Sequence, residues 1–182
     1  MEAPQGNITT NDIYSYADGD GGQITIKAGN NINIKVNSNI ISASEPPSEG
    51  NSDKQGQGGD ITLKAGNNIN TTKANIYSGA NEGDTGKIDI IGENTIETGP
   101  IDLASGFERE RKTVNENVTL IPRRKGEATK GEAGDITIRS KNSTIDTTGG
   151  TINSRSPDGT GNITLNAKGN ISTGKLKASA LN

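Results

Sequence analysis

The stretch that decides the fold is Gly59-Asp60-Ile61-Thr62-Leu63-Lys64-Ala65-Gly66-Asn67-Asn68-Ile69-Asn70. Upstream, Ile24-Thr25-Ile26-Lys27-Ala28-Gly29-Asn30-Asn31-Ile32-Asn33 repeats Ile61 to Asn70 with a single Ile-for-Leu exchange. Shorter copies stand at Gly86-Lys87-Ile88-Asp89-Ile90, Gly134-Asp135-Ile136-Thr137-Ile138 and Gly161-Asn162-Ile163-Thr164-Leu165, with a weaker one at Gly6-Asn7-Ile8-Thr9-Thr10. Internal repetition of this kind marks a stacked architecture, in which each unit buries its apolar face against its neighbours.

The spacing sets the geometry. Gly59 to Gly86 is 27 positions and Gly134 to Gly161 is again 27, while Gly22 to Gly59 is 37 and Gly86 to Gly134 is 48. A coil of 27 residues with two insertions accounts for all four steps. In Ile-Thr-Ile the aliphatics fall on one face and Thr on the other. Ile24, Ile26, Ile61, Leu63, Ile88, Ile90, Ile136, Ile138, Ile163 and Leu165 are therefore expected to point inward in two files. Further short apolar groups at Ile69 and Ile76 supply a second and a third strand per coil. The fold predicted is all-β, a parallel β-helix of five or six coils. The bias of parallel crossovers makes it right-handed. No helical stripe competes, because β-branched residues alternate and Gly and Asn recur every few positions.

Composition agrees with a thin core. Hydrophobic residues make up 27% of the chain and aromatic ones 2%, with one Phe and no Trp, too few for a thick globular interior. The net charge of −3 comes with no large basic face, which argues against nucleic acid as a partner. Cysteine and histidine are both absent, removing disulfides, thiolate metal sites and the commonest general base. No apolar run reaches the roughly 18–20 residues that span a bilayer. Met1 to Gly6 has neither a basic region nor an apolar one, so no signal peptide is read there.

Asparagines precede the second strand of each coil, at Asn31, Asn68, Asn94, Asn142 and Asn170. They suit turns, and if stacked they form an amide ladder along the axis. The first insertion, residues 43–58, is Pro/Gly/Ser-rich and reads as a surface loop. The second, residues 105–133, holds Glu108-Arg109-Glu110-Arg111-Lys112 and Val118-Thr119-Leu120-Ile121-Pro122-Arg123-Arg124-Lys125. Val118 to Ile121 reads as a short strand and is compatible with a hairpin. Arg109, Arg111, Lys112, Arg123, Arg124 and Lys125 are the candidate partner-binding residues, against the plainer reading of a solvated charge run.

Catalytic chemistry finds little footing. Asp60 and Asp135 follow repeat glycines, but Gln23, Lys87 and Asn162 take that place elsewhere, so the position reads as a turn. Asp89 replaces an outward Thr. Asp18-Gly19-Asp20-Gly21-Gly22 resembles a calcium β-roll fragment without the nine-residue period. No cofactor or metal is expected, and no enzyme activity.

The pattern at Gly59 to Asn70, with its echoes at Gly22 and Gly161, resembles the repeat region of filamentous-haemagglutinin-like exoproteins, which are secreted by bacteria through the two-partner route. The resemblance implies a right-handed β-helix, export by an outer-membrane transporter, a place at the cell surface, and adhesion to a surface polysaccharide or a cell-surface protein. The secretion domain that opens such proteins is not recognisable here, so residues 1–182 read as one β-helix segment of a longer exoprotein. Two other functions stay open: a carbohydrate-active β-helix, and a passive scaffold within a multidomain protein.

Overall fold

The structure is a computed structural model that describes residues 1–17, 19–44, 56–81, 83–105, 107–114, 117–124 and 130–180. For 107–114 and 117–124 it describes the backbone. Among the described residues eighteen strands build the solenoid, three to a rung. The first rung holds β1 (Glu2–Ala3), β2 (Ile8–Thr10) and β3 (Ile13–Ala17), and the second β4 (Ile24–Ala28), β5 (Ile32–Ile34) and β6 (Ser38–Ser44). Next come β7 (Ile61–Ala65), β8 (Ile69–Thr71) and β9 (Ala74–Ala80), then β10 (Ile88–Gly92), β11 (Ile96–Thr98) and β12 (Ile101–Ser105). A hairpin of β13 (Phe107–Val114) and β14 (Asn117–Arg124) follows. The chain re-enters as β15 (Ile136–Ser140), β16 (Ile145–Thr147) and β17 (Ile152–Ser156), and then β18 (Ile163–Ala167), β19 (Ile171–Thr173) and β20 (Leu176–Ala180).

These strands stack into three parallel sheets of six, β1-β4-β7-β10-β15-β18 for the first face, β2-β5-β8-β11-β16-β19 for the second and β3-β6-β9-β12-β17-β20 for the third. With rungs about 4.8 Å apart, the rod is about 24 Å long. No helix occurs among the described residues.

The expected register is the observed one. Ile24, Ile61, Ile88, Ile136 and Ile163 form one file, and Ile26, Leu63, Ile90, Ile138 and Leu165 the next. All but Ile163 and Leu165 are buried; those two pack on the core half-buried, because the last rung has no rung beyond it among the described residues. Neither insertion disturbs the stack, since β4 pairs β7 and β10 pairs β15 over five residues each. Each fully buried Ile contributes about 1.5–3 kcal/mol, so a core one side chain thick is held by repetition.

The repeat glycine has a steric cause that periodicity alone did not supply. A Cβ on Gly86 would fall on the Gly59 carbonyl and 2.8 Å from Asp60 N. On Gly134 it would meet the carbonyl of Gly86, and on Gly161 that of Gly134. At this corner successive backbones touch directly, and only glycine fits. Inward serines of the third face lock the contact. Ser78 Oγ donates to Gly59 O (3.0 Å) and accepts from Gly86 N (3.0 Å). Ser42 joins Gly22 to Gly59, and Ser154 joins Gly134 to Gly161, in the same way. Where Leu103 replaces the serine, Thr85 Oγ1 accepts from Gly134 N instead, at 2.9 Å.

The asparagine ladder exists, but as two files and not the one expected. Asn67 Nδ2 donates to Asn30 Oδ1 (3.1 Å), and Asn94 Nδ2 to Asn67 Oδ1 (2.7 Å). Beside it, Asn7 accepts from Asn31, Asn31 from the Asn68 amide, and Asn68 from the Thr95 amide. Asn94 therefore belongs with Asn30 and Asn67, as its place two residues beyond the first strand requires. Asn142 and Asn170 make no side-chain hydrogen bond in either file among the described residues.

The third corner absorbs nearly all the length variation. The first corner spans three or four residues and the second two to four. The third runs from six (157–162) to 30 (106–135). In the second rung the second corner takes one extra residue, and Asn37 adopts φ 59° to turn it.

Candidate binding face

The outward columns of the three faces differ in chemistry. The first face carries Thr25, Thr62, Asp89, Thr137 and Thr164 beside Lys27, Lys64, Ile91, Arg139 and Asn166. The second carries Thr9, Asn33, Asn70, Glu97, Asp146 and Ser172. Both are mostly groups that water solvates well. The third carries Tyr14, Ile41, Tyr77, Asp102, Asn153 and Lys177 beside Tyr16, Ala43, Gly79, Ala104, Arg155 and Ser179.

Its first three rungs, with Ala104 of the fourth, break the polar rule. Ile41, Ala43, Tyr77 and Ala104 point away from the barrel yet are buried, with Tyr16 packed against them, as a second apolar cluster outside the core. Tyr77 lies over Gly79, where a Cβ would collide with its ring, and its hydroxyl donates to Ala104 O at 2.9 Å. The Tyr14 and Tyr16 rings stack with centroids 5.7 Å apart and planes at 15°. Such offset stacking fixes both rings. Burial holds the Tyr14 hydroxyl pKa above the ordinary tyrosine value, a rise opposed by the hydrogen bond from Asn39.

Polar groups take over in the next rungs. Arg155 reaches Asp102 Oδ2 at 3.5 Å, a half-buried pair. Between the aromatic and the charged halves lies a cleft of about 340 Å³, lined by Asn39, Asn75, Tyr77, Pro100, Asp102 and Asn153. Asn75 Nδ2 donates to Asn39 Oδ1 at 3.0 Å along its rim.

Both insertions leave from the edge of this face, after β6 in the second rung and after β12 in the fourth. Residues 45–55 of the first lie outside the described residues. In the second, the strand expected at Val118 to Ile121 is longer and pairs antiparallel with β13 as a sheet of its own. Its register sets Arg109 opposite Pro122, Arg111 opposite Leu120 and Lys112 opposite Thr119, with Arg123 opposite Glu108 and Arg124 opposite Phe107. No two of these five cations stand opposite each other, so the hairpin spreads them over both strands. Lys125 lies outside the described residues.

Of the carboxylates singled out in the sequence, Asp89 stands outward in β10 between Thr62 and Thr137, as expected, and the others described serve turns. Asp60 Oδ1 accepts from Lys87 N and Asp135 Oδ1 from Asn162 N, both at 2.8 Å, so each ties its rung to the next. Asp20 does the same for Gln57 N at 3.0 Å; Asp18 lies outside the described residues. Thr148 N and Oγ1 both donate to Asp146 and lower its pKa. Among the described residues no three acidic side chains gather where a metal ion could sit, and no helix is long and apolar enough to cross a membrane.

The third face was not singled out in the sequence, although a signal was present. The chain has three tyrosines, and all occupy outward positions of third strands. No family model, no curated protein and no solved structure matches this chain.

Proposed function

We propose that this chain is a structural and adhesive surface module, part of a secreted exoprotein of the filamentous-haemagglutinin-like kind that an outer-membrane transporter exports. In this reading the rod holds its third face and the hairpin toward a surface polysaccharide or a cell-surface protein. The observation that carries it is the concentration of every tyrosine and both insertions along one face and its edge, on an otherwise uniform scaffold. Binding residues ride on loops positioned by rigid elements, and Tyr and Arg are enriched at contact surfaces. Attachment at one such face is weak, and it strengthens by multivalency when many copies are displayed.

The test is attachment of the immobilised chain to a panel of polysaccharides and cell surfaces. Replacing Arg109, Arg111, Lys112, Arg123, Arg124 and Lys125 by Ser together is expected to remove most of it with the fold intact. Unchanged attachment excludes the hairpin cations. The same incubations are followed for reducing or unsaturated ends. Sustained release that Asp102→Asn abolishes would replace this reading with a carbohydrate-active one.

A further inference from the structure

We infer that the cleft on the third face is a site for one unit of a neutral sugar. The inference deepens the adhesive reading, on which it rests for the sugar's belonging to a surface polysaccharide. Its first ground is an interrupted ladder. The residues that precede the third strands form a file, Asp12, Asn39, Asn75, Pro100 and Thr151. Asp12 Oδ1 accepts from Asn39 N (2.7 Å) and Nδ2 (3.3 Å), and Asn39 Oδ1 accepts from Asn75 Nδ2 (3.0 Å). The next step fails, because Pro100 has no N–H and no side-chain amide to offer. Among the described residues Asn75 Oδ1 therefore accepts no hydrogen bond, and Asn75 lines the cleft.

A second acceptor lies two rungs on. Asn153 lines the same cleft, and its Oδ1 is buried with no hydrogen-bond partner among the described residues. Leaving such a group unpaired is costly, and the cost is relieved when a donor arrives. The last torsion of an asparagine is soft, so this amide can turn either end to a guest. Two rungs set the amides roughly 10 Å apart along the axis. A six-membered sugar ring with a hydroxyl at each edge, and a hydrogen bond beyond each hydroxyl, spans that gap.

Charge and polarity name the occupant. Among the described lining residues Asp102 alone is charged, and Arg155 already reaches its Oδ2 at 3.5 Å. No lysine or arginine among them is placed to take an anion. An apolar guest would strip water from Asn75, Asp102, Thr151 and Asn153 and return no hydrogen bond. A sugar hydroxyl both donates and accepts, as these amides do. The exposed Pro100 ring gives the sugar's C–H groups an apolar rest. A volume of about 340 Å³ is near the lower end of small-molecule sites, roughly 300–1,000 Å³, and suits one sugar unit of a chain.

The test is titration of the whole chain with glucose, galactose, mannose and N-acetylglucosamine, free and as short oligomers, and with galacturonate and its oligomers. Calorimetry gives the affinity, and NMR follows the asparagine side-chain amides. The expected result is weak binding of at least one neutral saccharide. Asn75→Ala and Asn153→Ala are each expected to weaken it about tenfold, the loss of one hydrogen bond. Pro100→Asn supplies the missing N–H, occupies Asn75 Oδ1 and is expected to weaken binding by a similar factor with no fall in Tm. All three sites lie outside the barrel, so circular dichroism is expected to show an unchanged fold. The inference is overturned if no neutral saccharide binds, or if binding survives all three substitutions in folded protein. It is also overturned if they weaken galacturonate more than galactose. Attachment to surfaces without any saccharide in the cleft would sink this inference and spare the adhesive reading; saccharide binding in the cleft without attachment would do the reverse.

Discussion

Gly86→Ala tests the contact on which the stack is built. The new Cβ would fall on the Gly59 carbonyl and 2.8 Å from Asp60 N, and both obstacles are backbone. Rungs three and four must part at that corner. Overpacking of this kind costs about 1–3 kcal/mol. The movement also strains the bonds from Gly86 N to Ser78 Oγ (3.0 Å) and from Ile61 N to Lys87 O (2.8 Å), each worth about 1 kcal/mol. Against this, alanine stiffens the unfolded chain by about 0.4–1 kcal/mol. The net expectation is a loss of about 2–4 kcal/mol, or a fall in Tm of about 4–16 °C for a chain of this size. The control is Gly19→Ala, where no atom lies within 4 Å of the added methyl. Gly19→Ala is expected to be neutral or slightly stabilising. Thermal and urea unfolding of the two variants, followed by circular dichroism, give the comparison. Equal stability within about 0.5 kcal/mol would refute the claim that backbone contact dictates the repeat glycine.

Further predictions concern the interior and the third face. Thr71, Thr98 and Thr147 stack inward on the second face, and among the described residues their buried hydroxyls have no hydrogen-bond partner, so Thr98→Val is expected to raise stability by about 1 kcal/mol in urea unfolding. Ile61→Asp buries an unpaired carboxylate and is expected to cost several kcal/mol, whereas outward Thr62→Ser costs less than about 0.5 kcal/mol; similar melting losses would contradict the face assignment. The raised Tyr14 pKa means that the folded state holds its proton longer than the unfolded one. The associated stability is present below about pH 10 and lost as pH rises through the folded pKa, and Tyr14→Phe is expected to flatten that decline in alkaline melting curves.

Much of the fold was legible because strand chemistry and coil length were both regular. Ile-Thr-Ile fixed which way each first strand faces, and the 27-residue step fixed which residues stack, insertions included. The asparagine files do not follow from the second strand, because the corner before it holds three or four residues; counted from the end of the first strand, Asn94 stands two residues past Gly92 as Asn30 stands two past Ala28. The serine locks were hidden because Ser42, Ser78 and Ser154 bond to glycines in distant corners, a partnership that only the closed rung creates. The apolar outer cluster was hidden for another reason. Ile41 and Tyr77 sit at positions where alternation predicts solvent, and burial outside the barrel follows from no local pattern.

The elastic third corner makes the rod a ruler. Because every rung returns to its first strand whether six residues or 30 intervene, anything spliced in after a third strand is carried at a height set only by its rung number. The two natural excursions leave two rungs apart, a separation of about 10 Å. Foreign segments grafted at 81–85 or 157–160 would stand at other fixed heights along the same edge. A set of such grafts would place paired epitopes or dyes at distances graduated in steps of about 4.8 Å, with no linker to blur them.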